Sequence, residues 1–275
     1  MIDCQSIVPD PLNQGTAMKT TKQLNWVLPT VIASAVLISF QATTSKAAET
    51  ALLNSLTEAE IADGWKLLFD GKTSAGWRGY RRETVPASWQ IVDGSLFMDS
   101  SARGVSGARD PGDILYDQQF ENFHLKLEWK ISEGGNSGIF YLGQEPEEMD
   151  VIYKTAPEVQ VLDNDRHPDA RAGIDGNRTA GSLYDLIPAR PQNVNPVGEW
   201  NTAEVIINNG SVQHYQNGEV VVEFQLGTKA WHDLVAASKF PALNADWADV
   251  ARRGYIALQD HGDAVWYRNI KIKEL

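Results

Sequence analysis

The chain has almost no cysteine: Cys4 stands alone among 275 residues. One thiol near the start excludes a disulfide framework, a thiolate metal site and a cysteine nucleophile from everything downstream. Positive charge is also short, with 24 Lys and Arg against 36 Asp and Glu and a formal net charge of −12. Such a surface repels nucleic acid and anionic membranes, whereas a neutral ligand such as a sugar meets no penalty. No segment repeats at a period of about 20 to 50 residues, which argues against a propeller or solenoid. The apolar stretch from Trp26 to Phe40 falls short of the roughly 20 residues of a membrane span. Neither a G-x-S-x-G elbow nor a phosphate-binding glycine loop is present.

What is there begins with a leader. From Met18 the chain reads MKTTKQLNWVLPTVIASAVLISFQATTSKAAET, with Lys19 and Lys22 ahead of the apolar stretch and the small pair Ser45 and Ala47 behind it. This is the pattern of a cleaved signal peptide over 18–47, and residues 1–17 then read as translation from an upstream start. The expected product is secreted or periplasmic and has no membrane span. Cleavage leaves 21 basic against 34 acidic side chains. Residues 48–62 read as a linker and a short helix. Thr57 with Glu60 fits a capping box, and Gly64 closes the helix.

Residues 63–275 read as one all-β domain. In HLKLEWKI, Leu125, Leu127, Trp129 and Ile131 take one face, while His124, Lys126, Glu128 and Lys130 take the other. Asp70-Gly71, Asp93-Gly94, Asn209-Gly210 and Asn217-Gly218 are dipeptides that reverse antiparallel strands. Many short strands of this kind favour a two-sheet antiparallel sandwich with short helical insertions. Residues 228–253 break the pattern with helical spacing at Trp231, Leu234 and Val235, then Pro241. The segment reads either as a lid or as the cover of a sheet edge.

The chemistry concentrates in two strands. In EVQVLDNDRHPDA, Val159 and Val161 claim the core, which turns Glu158 and Gln160 to the other face. In YIALQDHG, Ile256 and Leu258 point one way, and Ala257, Gln259 and His261 the other. If both strands share a sheet, a carboxylate, an imidazole and two amides converge, which suits acid–base work on a sugar. The alternative is a pair of solvated faces without a role. Trp77, Trp89, Trp200, Trp231, Trp247 and Trp266 offer stacking surfaces, although most belong more naturally in the core. The alternating Asp163, Asp165, His167 and Asp169 permit a divalent metal with Asp163 and His167 as candidates. The loop lacks the glycine and downstream glutamate of a calcium site, so a turn shaped by its own hydrogen bonds competes with that reading. A retaining glycosidase wants two carboxylates about 5 Å apart. The face after Glu158 carries Gln160 and Leu162, so no partner lies on its own strand.

Taken in order, LLFDGKTSAGW, GGNSGIFYLG, EVQVLDNDRHPDA, AGSLYDLI, GEWNTAEVIINN, NGEVVVEF, SKF and GYIALQDHGDAVWYRNIKI resemble the 3-keto-disaccharide hydrolase family of secreted bacterial proteins. The resemblance covers about Asp63 to Leu275. It implies a concanavalin A-like jelly-roll sandwich with a groove on its concave sheet. It also implies a glycoside substrate already oxidised to a ketone at C3 by a partner dehydrogenase. Cleavage would proceed by proton abstraction at C2, elimination and hydration. On that reading Glu158 and His261 form the acid–base pair. Gln160, Gln259, Tyr184 and Asn136 bind the sugar, and Asp163, Asp185 and His167 orient them or hold a metal. The resemblance fixes no cofactor, and a divalent metal remains an option. A non-catalytic carbohydrate-binding module and an ordinary glycosidase remain the alternatives.

Overall fold

The computed structural model describes residues 53–101 and 110–275; the leader expected over 18–47 and the upstream start lie outside them. A short helix, α1 (Glu58–Ala62), opens the described chain. Thr57 caps it, with Glu60 reaching back to the Thr57 backbone N–H at 2.9 Å. The expected capping box is therefore present. Gly64 follows at φ +88°, as a helix stop requires.

Thirteen named strands build two sheets. β1 (Trp65–Leu67), β3 (Trp89–Val92), β4 (Ser95–Met98), β6 (Phe123–Ile131), β9 (Asn201–Asn208), β10 (Ser211–Gln216), β11 (Glu219–Gln225) and β13 (Val265–Glu274) form the larger. Its order is β11-β10-β9-β6-β13-β4-β3, with β1 also on β13. β2 (Trp77–Gly79), β5 (Ile114–Phe120), β7 (Asn136–Gly143), β8 (Glu158–Leu162) and β12 (Gly254–Leu258) form the smaller, in the order β2-β5-β12-β7-β8. All the pairings are antiparallel. The jelly-roll sandwich expected from the sequence is the fold.

β6 shows why the sheets stack. Leu125, Leu127, Trp129 and Ile131 are each at most 3% exposed, and the residues between them are half-buried. Each such side chain contributes about 1.5–3 kcal/mol on burial. Three of the four turn dipeptides make hairpins. Asp93, Asn209 and Asn217 take φ of 49°, 51° and 50°, and glycine follows each. Asp70-Gly71 does not. Asp70 instead accepts from the backbone N–H groups of Lys72 and Thr73, in a turn that carries the chain from β1 in one sheet to β2 in the other.

β7 and β8 depart from alternation: every residue of both strands is buried. One face meets the core and the other lies under covering loops. The 181–184 segment also pairs with the free edge of β8. Gly181 N–H donates to Gln160 O at 2.8 Å, Gln160 N–H to Ser182 O at 3.0 Å and Tyr184 N–H to Glu158 O at 3.0 Å. The strand that carries Glu158 is thus held from both sides, and its edge is closed to other chains.

The 228–253 segment forms the helix α2 (Lys229–Ala236), and its Trp231, Trp247 and Phe240 make a stacked aromatic set with Phe224 of β11. It packs on Val221 and Val222 of β11 and on Leu183 and Leu186, so it covers a sheet edge. No helix of the described residues is long and apolar enough to cross a membrane.

Candidate active site

A cavity of about 300 Å³ opens on the outer face of the smaller sheet. This is near the lower end of ligand pockets, room for about one sugar ring. Asn136 from β7, Glu158 and Gln160 from β8, and Gln259 and His261 just beyond β12 make its polar side. Tyr153, Phe240 and Leu243 make an apolar side, and Tyr184 and Lys239 complete the lining. The period-two reading of β8 and of YIALQDHG is therefore correct, and the two strands do share a sheet, on either side of β7.

Gly138 explains how they meet. It lies on β7 opposite Gln160, and a Cβ there would stand 2.0 Å from Glu158 Oε1 and 2.7 Å from its carboxyl carbon. The missing side chain is the space the Glu158 carboxyl occupies. Gln259 is fixed beside it, since its N–H donates to Gly138 O at 3.0 Å and its carbonyl accepts the Ser137 hydroxyl at 2.7 Å.

Native proteins pair nearly all buried polar atoms. Among the described residues, four buried side-chain atoms have no partner: Asn136 Oδ1, Gln160 Nε2, Gln259 Oε1 and Gln216 Oε1. Three of the four line this one cavity. The orientation of Gln160 follows from its own backbone, because Oε1 accepts from Val161 N–H at 3.2 Å and leaves the NH₂ group to the cavity. A wider hollow of about 720 Å³ beside Gln144 and Trp247 contains none of these atoms. Unmet hydrogen bonding, not volume, singles out the smaller cavity as the candidate site.

The Glu158 side chain is buried and has no hydrogen-bond partner among the described residues. Burial holds its carboxyl well above the ordinary carboxylate range. The Lys239 charge works against that rise, and Asp113 and Asp169 add to it. It is the one carboxylate among the described residues that line the cavity.

Two residues near it, Lys239 and Asp113, gave no signal in strand periodicity. Lys239, in the SKF stretch, donates to the Tyr184 hydroxyl at 2.9 Å and lies 4.2 Å from the centre of its ring. Much of its side chain meets solvent, yet burial near its ammonium lowers its pKa. The Tyr184 hydroxyl in turn donates to Asp169 Oδ2 at 2.9 Å, and Arg178 bridges Asp169 and Asp185. Asp113, at the start of β5, accepts from Asp260 N–H at 2.8 Å. Enclosure by protein raises its carboxyl to about 7, and the neighbouring Asp260 charge adds to that effect.

The remaining candidates divide. Asp185 does not line the cavity; it accepts from Arg178 Nε, whose Nη1 donates to Asp169. Tyr184 lines the cavity, but its hydroxyl proton is already committed to Asp169. Asp163 is misplaced as a metal ligand or site residue. Its Oδ2 accepts from Gly134 N–H at 2.7 Å and its Oδ1 from Asp165 N–H at 3.1 Å, so it shapes the turn instead. His167 lies 6.0 Å, ring to ring, from His261. No tryptophan of the described residues lines the cavity. Trp77, Trp89, Trp231 and Trp247 are core residues, and Trp200 and Trp266 lie under Lys130 on the larger sheet. Aromatic residues of the 150–155 and 239–243 segments take the lining role.

The class is set by a two-sheet antiparallel sandwich with an amide-lined hollow on the outer face of one sheet. Residues 64–273 match the model of the 3-keto-alpha-glucoside-1,2-lyase-like domain, and the chain belongs to that family. A protein of Bacteroides thetaiotaomicron named 3-keto-disaccharide hydrolase is 47% identical over 247 residues, covering 84% of this chain and 85% of that protein. A crystal structure from Parabacteroides distasonis, provisionally described as a glycosyl hydrolase, superimposes with a TM-score of 0.70 at 35% identity. It covers 81% of this chain and 99% of its own. A second structure from that organism, described in the same way, gives a TM-score of 0.59 at 26% identity, over 77% and 99%.

Proposed function

We propose that the protein hydrolyses glycosides whose C3 carbon has first been oxidised to a ketone, by elimination followed by addition of water. A C3 ketone acidifies the hydrogen on C2. A base removes that proton, and the electron pair passes into a C2–C3 enolate. Its collapse breaks the bond from C1 to the leaving oxygen, which takes a proton from an acid. Water then adds across C1 and C2, returning hydroxyl to C1 and hydrogen to C2. The sequence needs one base, one acid and a counter-charge for the enolate oxygen.

The observation that carries this reading is the solitary carboxyl of Glu158 in a cavity with unmet amides. A double-displacement glycosidase needs a second carboxylate at close range, and among the described residues the lining holds none. Glu158 is the base; its raised pKa gives the ionised form a stronger pull on the C2 proton. His261 is the acid for the leaving oxygen. Lys239 and the Gln160 NH₂ group oppose charge on the enolate oxygen, and Asn136 and Gln259 accept from sugar hydroxyls. A dehydrogenase acting at C3 of glycosides must supply the substrate. The leader pattern over 18–47 supports a reaction outside the cytoplasm, which N-terminal sequencing of the mature protein would test.

The reaction is tested by offering a chromogenic 3-keto-glucoside and its unoxidised parent. Release from the keto form alone is the expected result. Equal release from the parent would overturn the elimination route, and binding of both without release would make the domain a carbohydrate-binding module.

A further inference from the structure

A cavity with room for about one sugar ring leaves the group beyond the scissile bond outside it. Asn136, Glu158 and Gln160 form the buried floor, each at most 6% exposed. Three lining residues, Tyr153, Lys239 and His261, are exposed and make the rim. Lys239 turns its ammonium back over the Tyr184 ring at 4.2 Å. His261 presents a polar ring and is the acid of the reaction proposed above. Tyr153 is the rim side chain with a broad apolar face to offer.

The backbone beneath that ring holds it at the mouth. Tyr153 is 37% exposed, the one aromatic among the exposed large apolar side chains of the described residues. It sits in the turn over 152–154, which other segments fix from two sides. The Trp247 indole N–H donates to Tyr153 O at 3.0 Å, and Asn244 Nδ2 donates to Lys154 O at 2.9 Å. From below, Ile152 is fully buried against Phe140 and Ala156. It fills the space beside Gly143, where a Cβ would stand 2.6 Å from Ile152 Cδ1. A single exposed apolar residue needs no explanation by itself. A ring fixed at the mouth of a cavity with unmet polar atoms does.

We propose that Tyr153 is a stacking platform for the leaving group, so that with the keto sugar in the cavity the next pyranose lies with its flat C–H face on the Tyr153 ring. This rests on the reaction proposed above and narrows it to keto-glycosides whose leaving group is itself a sugar. A fixed tyrosine ring has few torsions to lose on contact, so the stack converts into affinity. A leaving group without a flat apolar face, such as methoxy, makes no such contact. The stack lies away from the bonds that change at C1 and C2. It holds substrate and transition state alike, and therefore acts on KM more than on kcat.

The test compares initial rates on methyl 3-keto-glucoside and on a 3-keto-glucosyl-glucose disaccharide. The parent should show the lower KM for the disaccharide. Tyr153→Ala should cut that preference about 5- to 10-fold, the scale of one aromatic contact, chiefly through KM. Tyr153→Phe keeps the ring and should keep the preference within about twofold. Thermal melts establish that both variants are folded. Equal losses on the two substrates would put the ring against the sugar inside the cavity. A Tyr153→Phe loss as large as that of Tyr153→Ala would assign the effect to the hydroxyl. Either result overturns the platform. If the parent cleaves neither keto-glycoside, the proposed reaction fails, and the same ratios are then read as dissociation constants of the unoxidised disaccharide and methyl glucoside by calorimetry. A parent that binds the disaccharide no more tightly than the methyl glucoside overturns the platform, whatever becomes of the reaction.

Discussion

The outer faces of the two sheets start from the same period-two pattern and end in opposite states. On the larger sheet, the polar positions of β6, β9 and β13 satisfy one another. Arg268 Nε donates to Glu128 at 2.7 Å, His124 and Lys126 share Glu204, and Lys130 lies over Trp200 and Trp266. On the smaller sheet, Gln160, Asn136 and Gln259 are drawn under covering loops beside the buried Glu158 and left with unmet polar atoms. A solvated face can afford polar groups because water completes them. A covered face cannot, so its orphaned groups mark where a ligand completes them instead.

The strongest way to sharpen the contrast is to neutralise one carboxylate on each face. Glu158→Gln should lower kcat/KM on a 3-keto-glucoside by about 10³-fold, within the range of a lost general base. Denaturant unfolding should show stability kept or raised. Glu128→Gln on the opposite face should change kcat/KM less than about twofold. Similar losses in both variants would break the comparison. Gly138→Ala comes next. Its methyl group displaces the Glu158 carboxyl, and activity should fall about 100-fold, with the far-UV spectrum unchanged. Activity at the parental level would mean the carboxyl need not sit over β7.

The pH profile separates the faces further. Lys239→Met removes the charge that holds the Glu158 pKa down, so the acid limb of kcat/KM should move to higher pH. Lys130→Met on the other face should leave that limb in place. Between the sheets, His214 is buried against Tyr141, with Nε2 2.8 Å from the hydroxyl, and burial lowers its pKa to about 4. The unfolded imidazole takes up its proton near pH 6.5, before the folded one can. Its contribution is therefore complete above about pH 6.5 and is lost as pH falls toward 4, by about 3 kcal/mol in all. Urea unfolding at pH 7.5 and 4.5 measures the loss, and a flat response would refute it. The smallest effect belongs to Lys130→Ala, which should cost about 0.5–1 kcal/mol through its aromatic contacts and leave activity unchanged.

Local rules carried the sequence reading as far as they reach. Alternation placed Val159 and Val161 in the core and so turned Glu158 and Gln160 to the cavity. The Asn-Gly and Asp-Gly pairs marked three hairpins because φ > 0 restricts residue choice. Asp70-Gly71 misled because a turn dipeptide says nothing of which sheet follows. Lys239, Tyr153 and Asp113 carry no periodic signal; they reach the site by tertiary packing of loops and a strand start. Asp163 looked like a ligand because alternate carboxylates fit a metal loop, yet nearby backbone N–H groups claim both its oxygens. Gly138 was readable only as a small residue until Glu158 was seen to fill its space.

Elimination through C2 is tested most directly with a 3-keto-glucoside that carries deuterium at C2. It is turned over in ordinary water beside an enzyme-free control for spontaneous exchange. Proton abstraction by Glu158 predicts that the released 3-keto sugar has lost its deuterium to solvent, well beyond the control, and that unreacted parent glycoside keeps it. A product that retains the label in full would mean that the bond at C1 breaks without C2 being touched, and would contradict the role given to Glu158.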